Sequence, residues 1–218
     1  FRLVGKPGKK ADVGYFRLSL FLDAIRVLPE FQRAVKACRE CRGFVIDVRG
    51  NPGGIAVMAN AMSGWFISQP GVQLGKMFQR DFNLDFVVIP RLEGLSIPLA
   101  ILIDSASAST SEIFAGGLQD VKRAHVFGTR SAGAALPSLI ERLPNGDLFQ
   151  YAVANYISQG GKELEGNGVT PNRVFLHTRS ALLAGKDNIL NGAIDWIYAA
   201  PLPKHSPSSS PFSPPAGH

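Results

Sequence analysis

The chain has 218 residues, enough for one domain with a substantial core, and 45% of them are hydrophobic while 18% are charged. This composition excludes a wholly disordered chain, and since no apolar stretch reaches about 18 residues, no membrane span is predicted within it. The net charge of +6 is spread without interleaved aromatic residues, which argues against nucleic-acid binding.

Strand and helix patterns alternate along the chain, which predicts the α/β class with covered sheets. The predicted elements in chain order are a strand over 13–20, a helix over 28–41, a strand from 44, a helix over 56–67, strands near 75–78 and from 99, a helix over 111–120, a strand over 124–127, antiparallel strands over 136–140 and 148–156 around a turn at 144–147, and a helix over 188–198. Residues 1–200 are assigned to one core domain. The Pro- and Ser-rich residues 201–218 are predicted to be a flexible tail.

Two strand–loop–helix units carry the chemistry. The apolar run 99–103 is followed by the hydroxyl-rich segment 104–112, which leads into a helix. A serine at this point lies beside free helix N–H groups that can hold a developing oxyanion. In the other unit, a buried strand stops at 50–54, where Gly53 and Gly54 allow positive φ angles and close backbone approach.

The alternative for the serine cluster is structural. Ser and Thr are preferred helix N-caps, and 109–112 could be only a helix start with Glu112 in its first turn. The glycine loop weakens this alternative, because two such loops suit an anionic site better than one.

Four segments in order, 43–54, 105–116, 126–133 and 164–171, resemble the tail-specific, or carboxyl-terminal processing, serine peptidases of serine peptidase family 41, which include the tricorn core. The resemblance spans about residues 12–180. It implies a crotonase/ClpP-like stack of ββα units, a polypeptide substrate, and a periplasmic or extracytoplasmic location. No cofactor or metal is expected, and the oligomeric state stays open.

The resemblance also implies residue roles. The family nucleophile lies three positions before the helix-opening glutamate, so Glu112 indicates Ser109, with Ser107 and Ser111 as alternatives. The N–H of Thr110 would form half of the oxyanion hole. The glycine loop would supply the other half through Gly53 or Gly54.

The chain departs from the family at the general base. Many members use a lysine about two dozen residues after the serine, but this chain has Ala134 there, and neither Arg130 nor Lys122 replaces it. The tricorn-like branch instead takes a histidine from ahead of its PDZ domain, with a glutamate completing the network. Glu165 is the candidate for that glutamate.

No histidine precedes His125 in the sequence. We interpret His125 as a structural residue, with a catalytic role as the alternative. His177 is a weaker candidate, and His205 and His218 lie in the tail. The chain opens on Phe1, so we expect a fragment whose upstream helical region and PDZ domain, with the base histidine, lie elsewhere. The fragment alone is expected to have little or no activity.

Cys38 and Cys41 have C-x-x-C spacing, but there is no second pair for zinc. The sequence favours two small apolar residues packed on the sheet over a redox or metal site.

The leading hypothesis is a serine endopeptidase core acting on unstructured polypeptides or their C-termini. The alternative is a binding or scaffold protein that keeps the fold without chemistry, which the missing lysine favours. A crotonase-type acyl-thioester enzyme ranks last, because it leaves the serine cluster unexplained.

Overall fold

The computed structural model describes residues 1–176 and 178–201, which form a mixed α/β fold. The strands are β1 Arg2–Val4, β2 Val13–Arg17, β3 Gly43–Asp47, β4 Gln73–Phe78, β5 Asn83–Val87, β6 Leu99–Ile103, β7 His125–Gly128, β8 Ser138–Arg142, β9 Leu148–Ala152, β10 Asn155–Ser158 and β11 Arg173–Val174. The helices are α1 Ala24–Ala37, α2 Ala56–Ser63, α3 Thr110–Asp120, α4 Arg179–Leu183 and α5 Asn188–Ala199.

The main sheet has the strand order β1-β2-β3-β6-β7-β11, and all neighbours are parallel except the β1–β2 pair. Every residue of β3 and β6 is buried. Parallel strands covered on both faces read as continuous apolar runs, which is why the sequence predicts these two strands so clearly.

Successive residues of the central strands pack into different layers. Phe44 and Ile46 join the core formed with α1, α2 and α3, whereas Val45 joins the core formed with α5. This alternation is the period-two geometry of a strand, and it places helices on both sides of the sheet. The predicted α/β class is confirmed.

Two smaller sheets complete the fold. β10, β4 and β5 form an antiparallel sheet, and β8 and β9 form a two-stranded hairpin. The turn predicted at 144–147 does join antiparallel strands. The predicted strand over 148–156 is in fact two strands, because the chain leaves β9 after Ala152 and then pairs with β4.

Some element bounds differ from the predictions. α1 begins at Ala24 rather than at 28, because the Asp23 side chain accepts a hydrogen bond from the Arg26 N–H and caps the helix earlier. Pro29 therefore lies inside the helix. β5 and α4 were not predicted; four of the five β5 residues are exposed, so it carries little apolar signal.

The prediction for the cysteines was wrong in one respect. Cys38 and Cys41 are buried, as expected for apolar residues, but they form a disulfide bond. The end of α1 turns tightly enough to bring the two Cα atoms to 4.7 Å, which lies within the range that a disulfide spans.

The last helix is joined to the sheet by a buried ionic cluster. The Arg49 guanidinium lies 2.6 Å from the Asp47 carboxylate at the end of β3 and 2.7 Å from the carboxylate of Asp187, the N-cap of α5. The Tyr15 hydroxyl also donates to Asp47 at 2.6 Å. Burial, followed by this hydrogen bond, raises the pKa of Tyr15 to about 12.

Within residues 1–176 and 178–201, no helix has the length and hydropathy to cross a bilayer. The tail predicted over 201–218 lies outside the described residues from 202 onward.

Candidate active site

The two predicted loops leave the same edge of the main sheet. β3 and β6 are adjacent and parallel, with Asp47 opposite Leu102, so the segments that follow them emerge side by side. Ligand sites in open parallel sheets form beyond the carboxyl ends of the strands. The glycine loop 50–54 and the serine segment 104–109 therefore meet.

The contact between the loops is very close. A Cβ atom placed on Gly53 would lie 2.6 Å from the Ser109 Cβ and 2.9 Å from the Thr110 nitrogen. The Thr110 hydroxyl donates to the Gly54 carbonyl at 2.7 Å, and the Ala108 N–H donates to the Asn51 carbonyl at 3.0 Å. With its φ angle of 104°, only glycine fits at position 53.

Ser109 has an unusual backbone conformation. It is the N-cap of α3 and has φ 54° and ψ −119°, a region that residues with a Cβ rarely adopt. Such strain costs on the order of 1–3 kcal/mol and occurs mainly where function requires it. Ser109 is thus the helix cap of the structural alternative, and it is also the serine that the resemblance indicates as the nucleophile.

The alternative serines have structural partners. The buried Ser107 hydroxyl donates to the Val48 carbonyl at 2.9 Å, and the buried Ser111 hydroxyl donates to the Asn51 carbonyl at 2.9 Å. The Ser109 hydroxyl instead borders two cavities, and no acceptor for its proton lies among the described residues. The geometry favours Ser109 over both alternatives.

Two backbone N–H groups are available beside Ser109. Neither the Thr110 nor the Gly54 N–H has an acceptor among the described residues. The Gly53 N–H, in contrast, donates to the Asn51 side-chain oxygen at 2.9 Å. Of the two glycines, Gly54 therefore has the N–H without an acceptor among the described residues, while Gly53 provides the close contact.

The carboxylate of Glu112 links the segment that contains Ser109 to a third loop. Its buried carboxylate accepts from the Ser109 N–H at 2.9 Å, the Ser131 hydroxyl at 2.6 Å, and the N–H groups of Gly133 and Ala134 at 2.8 and 3.0 Å. Four donors satisfy a buried carboxylate well. The helix start and the 131–134 loop are thereby held as one unit.

Ala134 and Glu165 both border the cleft of Ser109. The Ser109 N–H also donates to the Ala134 carbonyl at 2.9 Å, so Ala134, at the expected lysine position, lies next to the serine. One Glu165 carboxylate oxygen accepts from the N–H groups of Ala135 and Leu136 at 2.8 and 3.2 Å. The structure thus brings together all the predicted site residues: Gly53, Gly54, Ser109, Thr110 and Glu165.

Two cavities meet at Ser109. The first, of about 530 Å³, is bordered by Ala134, Glu165 and residues of the β8–β9 hairpin. The second, of about 430 Å³, is largely apolar, and its walls include Met77, Phe86 and Ile113. An extended chain crossing Ser109 would have side chains in both cavities.

His125 lies elsewhere. It begins β7 opposite Ala100, near the start of β6, whereas Ser109 follows the end of that strand. Its ring stacks on Trp196 with centroids 4.8 Å apart, and Lys122 borders the same separate cavity. The structural interpretation of His125 is supported. His177, His205 and His218 lie outside the described residues.

The sequence analysis missed two residues of the site. Asn51 holds the Gly53 N–H and donates to the Leu18 carbonyl at 2.9 Å, and Glu112 was used only to locate Ser109. The spacing Ser-x-x-Glu at a helix start is the capping-box pattern, which could have indicated the contact between Glu112 and Ser109.

Comparison with known sequences agrees with this geometry. The sequence model of Peptidase family S41 matches residues 12–175. The chain is 30% identical over 177 residues to a carboxy-terminal-processing protease of Bartonella bacilliformis, covering 76% of this chain and 39% of that protein. It is 26% identical over 221 residues to a carboxyl-terminal-processing protease of Synechocystis, covering 94% of this chain and 48% of the relative. The chain thus spans less than half the length of both relatives.

Solved structures share the fold. The photosystem II D1 C-terminal processing protease superposes with a TM-score of 0.65 at 25% identity, over 78% of this chain and 44% of that one. The tricorn protease superposes with a TM-score of 0.66 at 19% identity, over 87% of this chain and 18% of that one. The matching residues include both loops of the site, and the chain belongs to peptidase family S41.

Proposed function

We propose that this chain is the core of a serine endopeptidase that hydrolyses unstructured polypeptides or their C-termini, with Ser109 as nucleophile. The observation that carries the proposal is the position of the Ser109 hydroxyl, which lies between two cavities and beside two N–H groups that have no acceptor among the described residues. A developing oxyanion needs preorganised donors of this kind, and losing one of them typically costs about 3 kcal/mol of barrier stabilisation.

The reaction follows from these positions. The Ser109 oxygen attacks the peptide carbonyl while a base takes its proton, and the N–H groups of Thr110 and Gly54 receive the oxyanion. The C–N bond then breaks as the amine takes up that proton, which leaves an acyl-enzyme. Water, deprotonated by the same base, attacks the ester and releases the acid and free Ser109.

The base is proposed to come from outside residues 1–218. Among the described residues bordering the two cavities there is neither lysine nor histidine. Ala134 occupies the expected lysine position and Glu165 borders the same cleft, which supports a tricorn-like arrangement with an incoming histidine and Glu165 as its partner. A crotonase-type stack of ββα units and an extracytoplasmic location are part of the same proposal; the disulfide suits an oxidising compartment.

A serine-directed fluorophosphonate probe tests the nucleophile in the full-length protein. We expect one label on Ser109, and we expect Ser109→Ala to abolish both labelling and peptide hydrolysis without changing the unfolding midpoint. The 218-residue chain alone should hydrolyse peptides far more slowly than the full-length protein, because no lysine or histidine borders either cavity among the described residues. Labelling elsewhere, or full turnover by the alanine variant, would contradict the assignment.

Ala134 also favours a second function, a binding protein that retains the fold without hydrolysis. Alanine cannot accept a proton, and such a protein would hold a polypeptide in the same cleft. Under this alternative the full-length protein would bind peptides but neither label nor hydrolyse, so the same experiment separates the two functions.

A further inference from the structure

The β8–β9 hairpin exposes more apolar surface than a free-standing hairpin normally does. Leu139, Ile140, Leu148 and Phe149 are between 50% and 67% exposed. Within the described residues, β8 and β9 pair only with each other. A two-stranded sheet is marginal in water without a covering layer, and contiguous exposed apolar groups mark interaction surfaces.

The strand register divides the hairpin into two faces. Ile140 lies opposite Gln150 and Leu139 lies opposite Tyr151, so neighbouring positions point to opposite sides. We define the cleft face as Ser138, Ile140, Arg142, Leu148, Gln150 and Ala152. The outer face consists of Leu139, Glu141, Phe149 and Tyr151.

The cleft face continues into the cavity of Ser109. Four of its residues border that cavity, namely Ser138, Ile140, Gln150 and Ala152. Ser138 also borders the apolar cavity on the other side of Ser109. This continuity places the apolar side chains of the cleft face on the path of a chain that reaches the serine.

Three residues of the outer face contact one another within the hairpin. The Tyr151 hydroxyl donates to the Glu141 carboxylate at 2.8 Å, and the Phe149 and Tyr151 rings stack with centroids 5.5 Å apart. Tyr151 is the one outer-face residue that also borders the cavity. Leu139 and Ile140 are thus aliphatic side chains of the same size on opposite faces, and only Ile140 borders the cavity of Ser109.

We propose that the cleft face is a docking surface for the extended polypeptide substrate on one side of the scissile bond, with Ile140 and Leu148 determining a preference for apolar side chains. The inference rests on the proposed function. Ile140 and Leu148 are diagonal neighbours across the hairpin, a relation that separates residues by about 7–8 Å. Side chains two apart in an extended peptide have a similar spacing, about 6.6–6.8 Å. The preferred substrate therefore has apolar residues at alternate positions.

The test uses the full-length protein and two internally quenched peptides, one with leucine at alternate positions and one with serine there. We expect Ile140→Ser to raise KM for the leucine peptide about tenfold with little change in kcat, and Ile140→Ser/Leu148→Ser to abolish the preference between the peptides. Ile140→Val should retain most of the affinity. Fluorophosphonate labelling of Ser109 should stay near the wild-type rate, because the probe has no alternating peptide side chains for the cleft face to bind.

Leu139→Ser and Phe149→Ser are the controls on the outer face, and Leu139→Ser is the matched one, since it removes a side chain of the same size as that of Ile140. They should leave KM within about twofold of wild type. Equal losses on both faces, or an unchanged KM in Ile140→Ser while Ser109 still labels, would overturn the proposal. If the outer-face variants changed both the oligomeric state and KM, the hairpin would instead be a contact between copies of the chain, which would overturn the proposal. Failure of wild-type Ser109 to label would count against the proposed function instead.

Discussion

At the scale of single residues, Gly53 cannot be replaced by a residue with a side chain without moving its neighbours. Its Cα has no space for a side chain, because Ser109 and Thr110 lie against it. Gly50, three residues earlier, also has a positive φ angle of 71°, but nothing lies within 4 Å of its Cβ position. The two glycines therefore separate the effect of contact from the effect of backbone conformation.

Gly53→Ala is expected to lower peptide hydrolysis and fluorophosphonate labelling by at least about 100-fold, because the added methyl displaces Ser109 relative to its donors. Gly50→Ala, as the control, should cost about 1 kcal/mol of stability through its positive φ angle and keep labelling within a few-fold. Steady-state kinetics, labelling rates and urea unfolding measure these effects. Similar labelling losses in both variants would show that the contact at Gly53 is not decisive.

Much of the site could be predicted at this scale because its signals are local. Gly53, Gly54 and Ser109 follow buried apolar strands directly, so their loops could be identified from short segments. The availability of the Gly54 rather than the Gly53 N–H could not, because it depends on where the Asn51 side chain points. The disulfide between Cys38 and Cys41 was missed because it requires the particular turn at the end of α1.

At the scale of elements, hydrogen bonds to the carboxylate of Glu112 link α3 to the loop that carries Ala134. It receives one donor from the helix start and three from residues 131–134. Removing a buried acceptor leaves its donors without partners, which costs more than the net value of the hydrogen bonds themselves.

Glu112→Ala is expected to lower the free energy of unfolding by about 3 kcal/mol and to slow Ser109 labelling. Ser131→Ala is the graded comparison: it removes one of the four donors and also the acceptor of the Val169 N–H, which lies 2.6 Å from the Ser131 hydroxyl, so it should cost about 2 kcal/mol. Glu112→Gln should fall between the two. Chemical denaturation measures the free energy of unfolding, and labelling kinetics measure the reactivity of Ser109. A Glu112→Ala protein with wild-type stability would show that this carboxylate does not hold the two elements together.

Elements whose identity depends on distant partners were harder to predict. β5 has a single buried residue and pairs with β4, so its own sequence hardly indicates a strand. The 148–156 run looks continuous, yet its second half pairs with β4, which lies far away in sequence. The predicted start of α1 lies four residues too late, because Asp23 caps the helix at a positive φ angle that the sequence pattern does not indicate.

At the scale of the whole molecule, His125 connects the sheet to the last helix. Its ring packs against both Phe127 of β7 and Trp196 of α5, whose rings also contact each other. Burial, with the charge of Arg173 as a smaller cause, lowers the pKa of His125 below its ordinary value of 6.5. Protonation is therefore easier in the unfolded chain than in the folded one.

The sign of the pH dependence follows from this difference. The unfolded chain binds more protons below pH 6.5, so the contribution of His125 to stability is present above that value and decreases as the pH falls through it. His125→Gln should flatten this part of the profile. Urea midpoints at pH 7.5 and pH 5 in both proteins test it, and parallel profiles would exclude His125 as the titrating group.

Through the Arg49 cluster, the carboxyl-terminal helix contacts the end of the sheet at which the candidate site lies. Arg49 immediately precedes the glycine loop, and one of its two carboxylate partners, Asp187, caps α5. Removing this helix would leave the nearly buried Arg49 guanidinium with only one of its two carboxylate partners, directly before the glycine loop. A helix whose N-cap lies 138 residues downstream of Arg49 thus supports the loop that holds one of the proposed oxyanion donors.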